Sequence, residues 1–387
     1  MKILQVFLAL AMSFIFGAAI SVGIGTDPIV TGIVTSIASI PIGIATQGAL
    51  CSTTAGVFSE TLLQKIRATA ARIGFDDRIK QQYIPQADIL KFIREKQTAN
   101  VSVLESKSKH HQMEVEWINT CQFTEEDNVA CAVGGSEPST NTKSYDFSRI
   151  AKSVGFSVEV ATGKTNDFDF EELMAKSFLQ AKKKMIESYA EYTVAVLNNN
   201  AGVNVVTDGK GTVVGDVTTI LAAYWNPALI AYLTRIGIVN RFTNASLITG
   251  KNLFEPEIMA MMNQGNADGK GDIAMINALN LRFDLFNIDT VNDPTFYSYL
   301  ISQGSVALIN RADYTSSIFV GDDFRGYMLT GADLGFPELE FDVIHKITCG
   351  TGDLAKHEVK VKLLADMVVN PTGCTETNTG ILRFACA

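Results

Sequence analysis

The side chains best suited to metal binding or nucleophilic catalysis are few: the histidines His110, His111, His345 and His357, and the cysteines Cys51, Cys121, Cys131, Cys349, Cys374 and Cys386. His345-x-x-x-Cys349 together with His357 offers three zinc-type ligands, but strand alternation would have to bring them to one face, and no fourth ligand is evident. No two cysteines stand in a Cys-x-x-Cys pair, so the spacing of zinc ribbons and thioredoxin-like centres is absent. Cys121 with Cys131, and Cys374 with Cys386, are close enough to close hairpin disulfides; in a chain this long, buried thiols fit the same positions equally well. No Gly-x-Ser-x-Gly elbow is present, and so few histidines leave no base for a serine or cysteine nucleophile. Asp208-Gly-Lys-Gly-Thr212 resembles a phosphate loop, but Gly211 follows the lysine where Ser or Thr is required, so it reads as a turn between strands. In Asn263-Gln-Gly-Asn-Ala-Asp-Gly-Lys-Gly-Asp272, a calcium-loop frame with Gly269 sixth puts Gln264 first and Met275 last, where carboxylates are needed, which leaves a surface loop. Glu125-Glu126-Asp127 reads as a solvated hairpin tip. Lys182, Lys183 and Lys184, beside Glu187 and Glu191, read as a solvated helix face with i,i+4 ion pairs. The sequons at Asn100 and Asn244 are of a kind that chance supplies. No catalytic, cofactor-binding or metal-ligating residue is therefore assigned, no cofactor is expected, and the chain is not expected to be an enzyme.

These residues must be held by a substantial core. The chain has 387 residues, 47% of them hydrophobic and 19% charged, which is a globular composition. A net charge of -9 and a pI near 5.1 exclude a protein that grips nucleic acid through clustered Lys and Arg. The N-terminus is unusual. Lys2, the apolar run 3–16 and the small residues Gly17, Ala18 and Ala19 match a secretory signal with cleavage after Ala19. A second uncharged run, 29–50, is rich in Gly, Ile, Thr and Ser, and both runs are long enough to span a membrane. The same β-branched, Gly- and Pro-containing text equally suits an extended arm buried by neighbouring subunits.

Leu62, Ile66, Ala70 and Ile73 recur at helical spacing before Gly74, which predicts a helix that stops there. From 99 to 160, alternation such as Met113-Glu-Val115-Glu-Trp117, with turn residues between, predicts a long, projecting, β-rich excursion. Asp169 and Glu172 form a capping box for a helix of about 28 residues, roughly 42 Å long. Its stripe is Met174, Phe178, Ala181, Met185, Tyr189, Tyr192 and Val196, and it can serve as a spine. A second apolar helix is expected over 218–233, broken at Trp225-Asn-Pro227. Strands are expected at 281–287, 295–300 and 305–310, with helical or loop segments at 255–262 and 265–272, and strands again at 339–345, 356–369 and 380–384. The order is α+β, without the regular strand–helix repetition of a doubly wound fold or barrel.

An N-terminal arm, a β-rich excursion, a long spine helix, a mixed region and a terminal sheet, in that order, resemble the major capsid proteins of tailed phages, whose fold is shared with encapsulin shells. Ala223-Tyr-Trp-Asn-Pro227, Leu247-Ile-Thr-Gly-Lys-Asn-Leu253, Phe283-Asp-Leu-Phe-Asn-Ile-Asp289, and Pro294-Thr-Phe296 leading to Gly304-Ser-Val-Ala307 are similar to the mixed domain of such subunits. The resemblance covers residues 60 to 387. It implies an α+β, major-capsid-type fold with a long spine helix, an extended β excursion and a mixed central domain. The corresponding divisions are an apolar arm or signal segment at 1–58, a helical segment at 59–98, the extended loop at 99–165, a peripheral domain at 166–217, a central axial domain at 218–335 and C-terminal strands of the peripheral domain at 336–387. The implied function is a structural protein that self-assembles into an icosahedral phage head enclosing DNA, without sequence-specific contact to it. Its implied partners are copies of itself and a scaffold or portal protein, its place is the virion, and the family offers no catalytic residues to carry over. The alternative from a different class is an exported or membrane-associated, disulfide-containing surface or adhesion protein.

Overall fold

The computed structural model describes residues 60–75, 82–97, 102–105, 112–118, 140–146, 150–159, 170–206, 208–225, 229–253, 280–293, 295–314, 317–321, 323–349, 355–369 and 379–386. The apolar N-terminus, His110, His111, the 125–127 acids, Asp169 and the 263–272 loop lie outside these residues. Helix α1 (Glu60–Phe75) and α2 (Asp88–Lys96) precede the strands β1 (Ser102–Glu105), β2 (Gln112–Ile118), β3 (Thr140–Asp146) and β4 (Lys152–Glu159). The spine α3 (Phe170–Asn199) is followed by β5 (Gly211–Val214), β6 (Val217–Ile220), α4 (Leu229–Val239), β7 (Ser246–Thr249), β8 (Arg282–Phe283), α5 (Leu285–Asn292), β9 (Tyr297–Ile301) and β10 (Val306–Asn310). The chain closes with β11 (Phe319–Val320), β12 (Arg325–Gly331), β13 (Phe336–Cys349), β14 (Ala355–Leu363), β15 (Ala365–Val369) and β16 (Ile381–Cys386). The fold is α+β, as the order of sequence patterns implies.

The strands form four sheets: β1-β2-β3; the pair β10-β15; β11-β12-β13-β14-β4; and β5-β6-β16-β9-β7-β8. The spine runs 30 residues, about 45 Å at 1.5 Å per residue. It packs on β4, β14 and β15 on one side and on α1, α2 and α5 on others. Enclosure on several sides explains why its buried surface is wider than one stripe: Ala175, Leu179, Ile186, Ala190 and Val194 are buried along with Met174, Phe178, Ala181, Met185 and Tyr189. Val154, Phe156 and Val158 of β4 alternate toward it, and the Phe156 and Phe178 rings meet edge to face at 5.1 Å. A second core lies under α4, where Leu229, Leu233 and Ile236 meet Leu247, Leu300, Leu382 and Phe384 of the six-stranded sheet.

Two expectations fail on short apolar runs. Residues 217–220 are strand rather than helix: Val217-Thr-Thr-Ile220 pairs in parallel with Arg383–Cys386, and β-branched residues suit that pleated, half-buried surface better than a helix interior. A short 3₁₀ turn, Ala222–Tyr224, follows, and α4 begins only after Pro227. The strand expected at 281–287 is cut to Arg282–Phe283, because Asp284 caps α5 by accepting the Asn287 N–H at 2.9 Å.

Phe178 is 1% exposed in the third turn of the spine, so truncating it leaves a cavity that rigid neighbours on two sides cannot collapse. Phe178→Ala is expected to lower the unfolding free energy by roughly 3–5 kcal/mol. Denaturant titration of the subunit checks this; a loss below about 1 kcal/mol would show the site to be loosely packed.

Candidate assembly surfaces

The histidines named as ligand candidates do meet. In the β13–β14 register His345 faces Val359 and His357 faces Ile347, so the two imidazoles are diagonal neighbours on one sheet face. His345 Nε2 and His357 Nδ1 lie 2.9 Å apart, Tyr327 Oη is 3.5 Å from His345 Nδ1, and the Phe170 ring packs on His357 at 4.7 Å. Both are buried beneath the spine's first turn. Burial, aided by the neighbouring His357, pushes His345 down to about 3, and burial pushes His357 down to about 4. Two neutral imidazoles, hydrogen-bonded to each other and closed to solvent, join the spine to the sheet. Among the described residues no group of three or more His, Cys, Asp or Glu side chains is gathered as a metal would require. Cys349 ends β13, Cys386 is exposed at the end of β16, and the other four cysteines lie outside the described residues.

Asp208 is a structural tie. Its carboxylate accepts the Tyr232 hydroxyl at 2.8 Å and Arg235 Nη1 at 3.0 Å, fastening the turn before β5 to α4, while Lys210 lies over the Tyr232 ring at 4.9 Å. The lysine run departs from the expected solvated face. Lys183 lies 4.0 Å from Glu187 and Lys184 is exposed, but Lys182 is buried, paired with Asp333 and donating to the Thr330 carbonyl at 3.2 Å. Helical phase is the reason, since position 182 follows Phe178 by four residues and precedes Ile186 by four. Burial lowers the Lys182 pKa and the Asp333 charge opposes that shift.

What the chain offers to solvent is apolar surface in several places. Ile238 is 70% exposed, Val214 67% and Val320 64%. Val203, Val205 and Val239 are exposed near Ile238, the Val205 N–H reaching Asn240 Oδ1 at 3.3 Å; Leu221 and Tyr224 adjoin β6; Leu285 and Phe286 open α5. The β1-β2-β3 sheet is fastened to the body through Tyr145, which packs with Ile309, Leu364 and Val368 and donates its hydroxyl to the Val369 carbonyl at 2.9 Å.

No family model matches the chain, and no curated protein matches it by sequence. Among solved structures, the chain is similar to the capsid of cyanophage P-SCSP1u at 8% identity, over 75% of this chain and 90% of that one, with a TM-score of 0.43. A Mycobacterium phage Che8 structure is similar at 10% identity, over 72% and 85%, with a TM-score of 0.42. The capsid of a native GTA particle is similar at 11% identity, over 75% and 94%, with a TM-score of 0.40.

Several positioning residues carry no local sequence signal. Asp284 also accepts the Ile89 N–H at 2.8 Å, so one buried carboxylate caps both α2 and α5. Its cap of α5 is readable from Asp284-x-x-Asn287; its reach to α2 is not. Asn198, Asn292 and Tyr299 close a ring of hydrogen bonds, each 2.7 Å, at the spine's C-terminal end. Arg383 joins it through Nη1 to Asn198 Oδ1 at 3.1 Å and through Nη2 to Asp216 at 2.8 Å.

The histidine pair sets a pH dependence. Each folded pKa lies below the ordinary value of 6.5, so the unfolded chain takes up protons first. Stability present above pH 6.5 is therefore lost as the pH falls toward 4. From pH 7 to 5 the loss should be on the order of 2 kcal/mol per histidine. It should be largely absent from a His345→Phe, His357→Leu double variant; equal pH slopes in the two proteins, measured by chemical unfolding, would contradict this account.

Proposed function

We propose that this chain is a shell-forming structural protein, many copies of which assemble into a closed icosahedral head of the tailed-phage type. The observation that carries the reading is the distribution of exposed apolar side chains over separate elements: β5 and its turn, the end of α4, the start of α5, and β11. A single partner covers one patch. Several patches on different faces are covered when each copy meets several neighbours, and closed symmetry covers them all, whereas open exposure leads to aggregation. The three-stranded β1-β2-β3 sheet supports the same reading, because a small sheet gains stability when another surface packs on it. The resemblance of residues 60–387 to phage capsid subunits supplies the type of shell.

On this reading the spine and the sheets beside it, residues 166–217 with 336–387, form the peripheral domain, and 218–335 the central one. Residues 1–58 act as an arm and 99–165 as the loop that reaches a neighbour. The protein acts in the virion, with a scaffold or portal protein aiding assembly, and performs no catalysis. The net charge of -9 suits a lumen that encloses DNA without holding it tightly. No helix among the described residues is long and apolar enough to cross a membrane.

Purified full-length protein, with its native partners supplied, should form closed particles in electron micrographs and sediment far faster than a 41.9 kDa subunit. A stable monomer under those conditions, or protein confined to membrane fractions, would overturn the proposal.

A further inference from the structure

The five-stranded sheet carries an exposed aromatic knob at one end of β12 and an apolar groove at the other. In the knob, Tyr314 stacks on Phe319 at 5.9 Å and Phe319 meets Phe324 at 6.2 Å. Two glycines make room for these rings. A Cβ at Gly326 would come within 2.6 Å of the Tyr314 ring, and one at Gly321 within 2.7 Å of the Phe324 ring, so both rings lie flat on bare backbone. The cluster is thus fixed in place before any partner arrives, yet Phe319 is 54% and Val320 64% exposed on the edge strand β11. Asp313, paired with Lys362 at 3.1 Å, and Asp323 flank it; the Asp323 side chain is 73% exposed, and its contact to Lys346 is a long 3.9 Å.

The groove, of roughly 670 Å³, lies between α1, α2, the spine and the β12–β13 turn. Ile84, Leu329 and Leu334 line it above the buried Ile66, Phe178 and Leu179, with the Lys182–Asp333 pair, Lys91, which lies 3.0 Å from Asp88, and Arg67 among its polar groups. Arg67 donates to the Met328 carbonyl at 3.0 Å, and no carboxylate among the described residues pairs with it. Knob and groove are both apolar at their centres, and the exposed Asp323 beside the knob is opposite in sign to Arg67 at the groove. They cannot meet within one chain: Arg325 pairs with Val320, and from there β12 runs about 15 Å before Leu329 and Thr330 reach the groove.

We propose that the Phe319–Val320 knob of one copy seats in this groove of a second copy, with Asp323 set against Arg67. The inference rests on the shell reading and names one of its contacts. The contact is head to tail, since each copy gives one knob and offers one groove, and such contacts close into rings when the rotation permits. A buried aromatic anchor surrounded by a charged rim is the arrangement that concentrates binding energy in few residues.

The test places a photoreactive benzoylphenylalanine at position 319 of the full chain, lets labelled and unlabelled protein co-assemble, and maps the crosslinked peptides by mass spectrometry. Label-mixed crosslinks from 319 to the segments around Ile66–Ala70 or Tyr83–Ile84 are expected. Crosslinks to another surface, or none from assembled particles, overturn the contact while leaving the shell reading standing; failure of the unsubstituted chain to assemble overturns both. Charge reversal gives a second readout: Arg67→Glu and Asp323→Arg should each reduce assembly about tenfold or more, and their combination should restore it. Single variants that assemble normally, or a double variant that stays impaired while its subunit unfolds at the unsubstituted protein's temperature, overturn the pairing.

Discussion

Burial of the spine on several sides is the constraint on which the rest of the structure depends. A 30-residue helix enclosed between a sheet and three other helices has little freedom to tilt or slide, so whatever contacts it is fixed in turn. Its hydroxyls add direction to that apolar burial: Tyr189 donates to the Asp366 carbonyl at 2.7 Å, and Tyr192 to the Asp366 carboxylate at 2.8 Å, pinning β15. The His345–His357 pair joins its first turn to the five-stranded sheet, and the Asn198–Asn292–Tyr299 ring joins its last turn to the six-stranded sheet. Burial drives the Tyr189 hydroxyl far above its ordinary range, so it remains a donor throughout the working pH range.

A body braced in this way can carry surfaces that are unfavourable on their own. Each exposed Val, Ile or Phe outside the core leaves apolar area in water, at about 25 cal/mol for each Å². Burial of the spine's apolar faces offsets that cost. Long-range contacts to the spine build the body, while β5, the end of α4, the start of α5 and the β11 edge remain outward, and the β1-β2-β3 sheet is held through Tyr145.

Legibility in the sequence followed length and period. The spine could be read because its stripe repeats over about six turns, and β13 and β14 because long alternation leaves little doubt about face. The runs 217–220 and 281–287 could not, because segments of four to seven residues fit strand and helix alike. What decides them is distant: pairing of β6 with β16 in one case, and the Asp284 carboxylate shared with α2 in the other. Lys182 was misread for a different reason. A charge run looks solvated as text, but helical phase carries one of its three lysines into the core beside Asp333. The histidines were named from composition, yet their meeting depends on β13–β14 register, which spacing alone does not specify.

The central claim is that neighbouring copies complete surfaces that the isolated subunit leaves open. Hydrogen exchange on assembled and dissociated protein, compared peptide by peptide, addresses it most directly. The account expects the spine, Phe170–Asn199, to be strongly protected in both states, and the strands Ser102–Glu105, Gln112–Ile118 and Thr140–Asp146 to gain most of their protection on assembly. Equal protection of those strands in the isolated subunit would contradict it, because the sheet would then be stable without a neighbour.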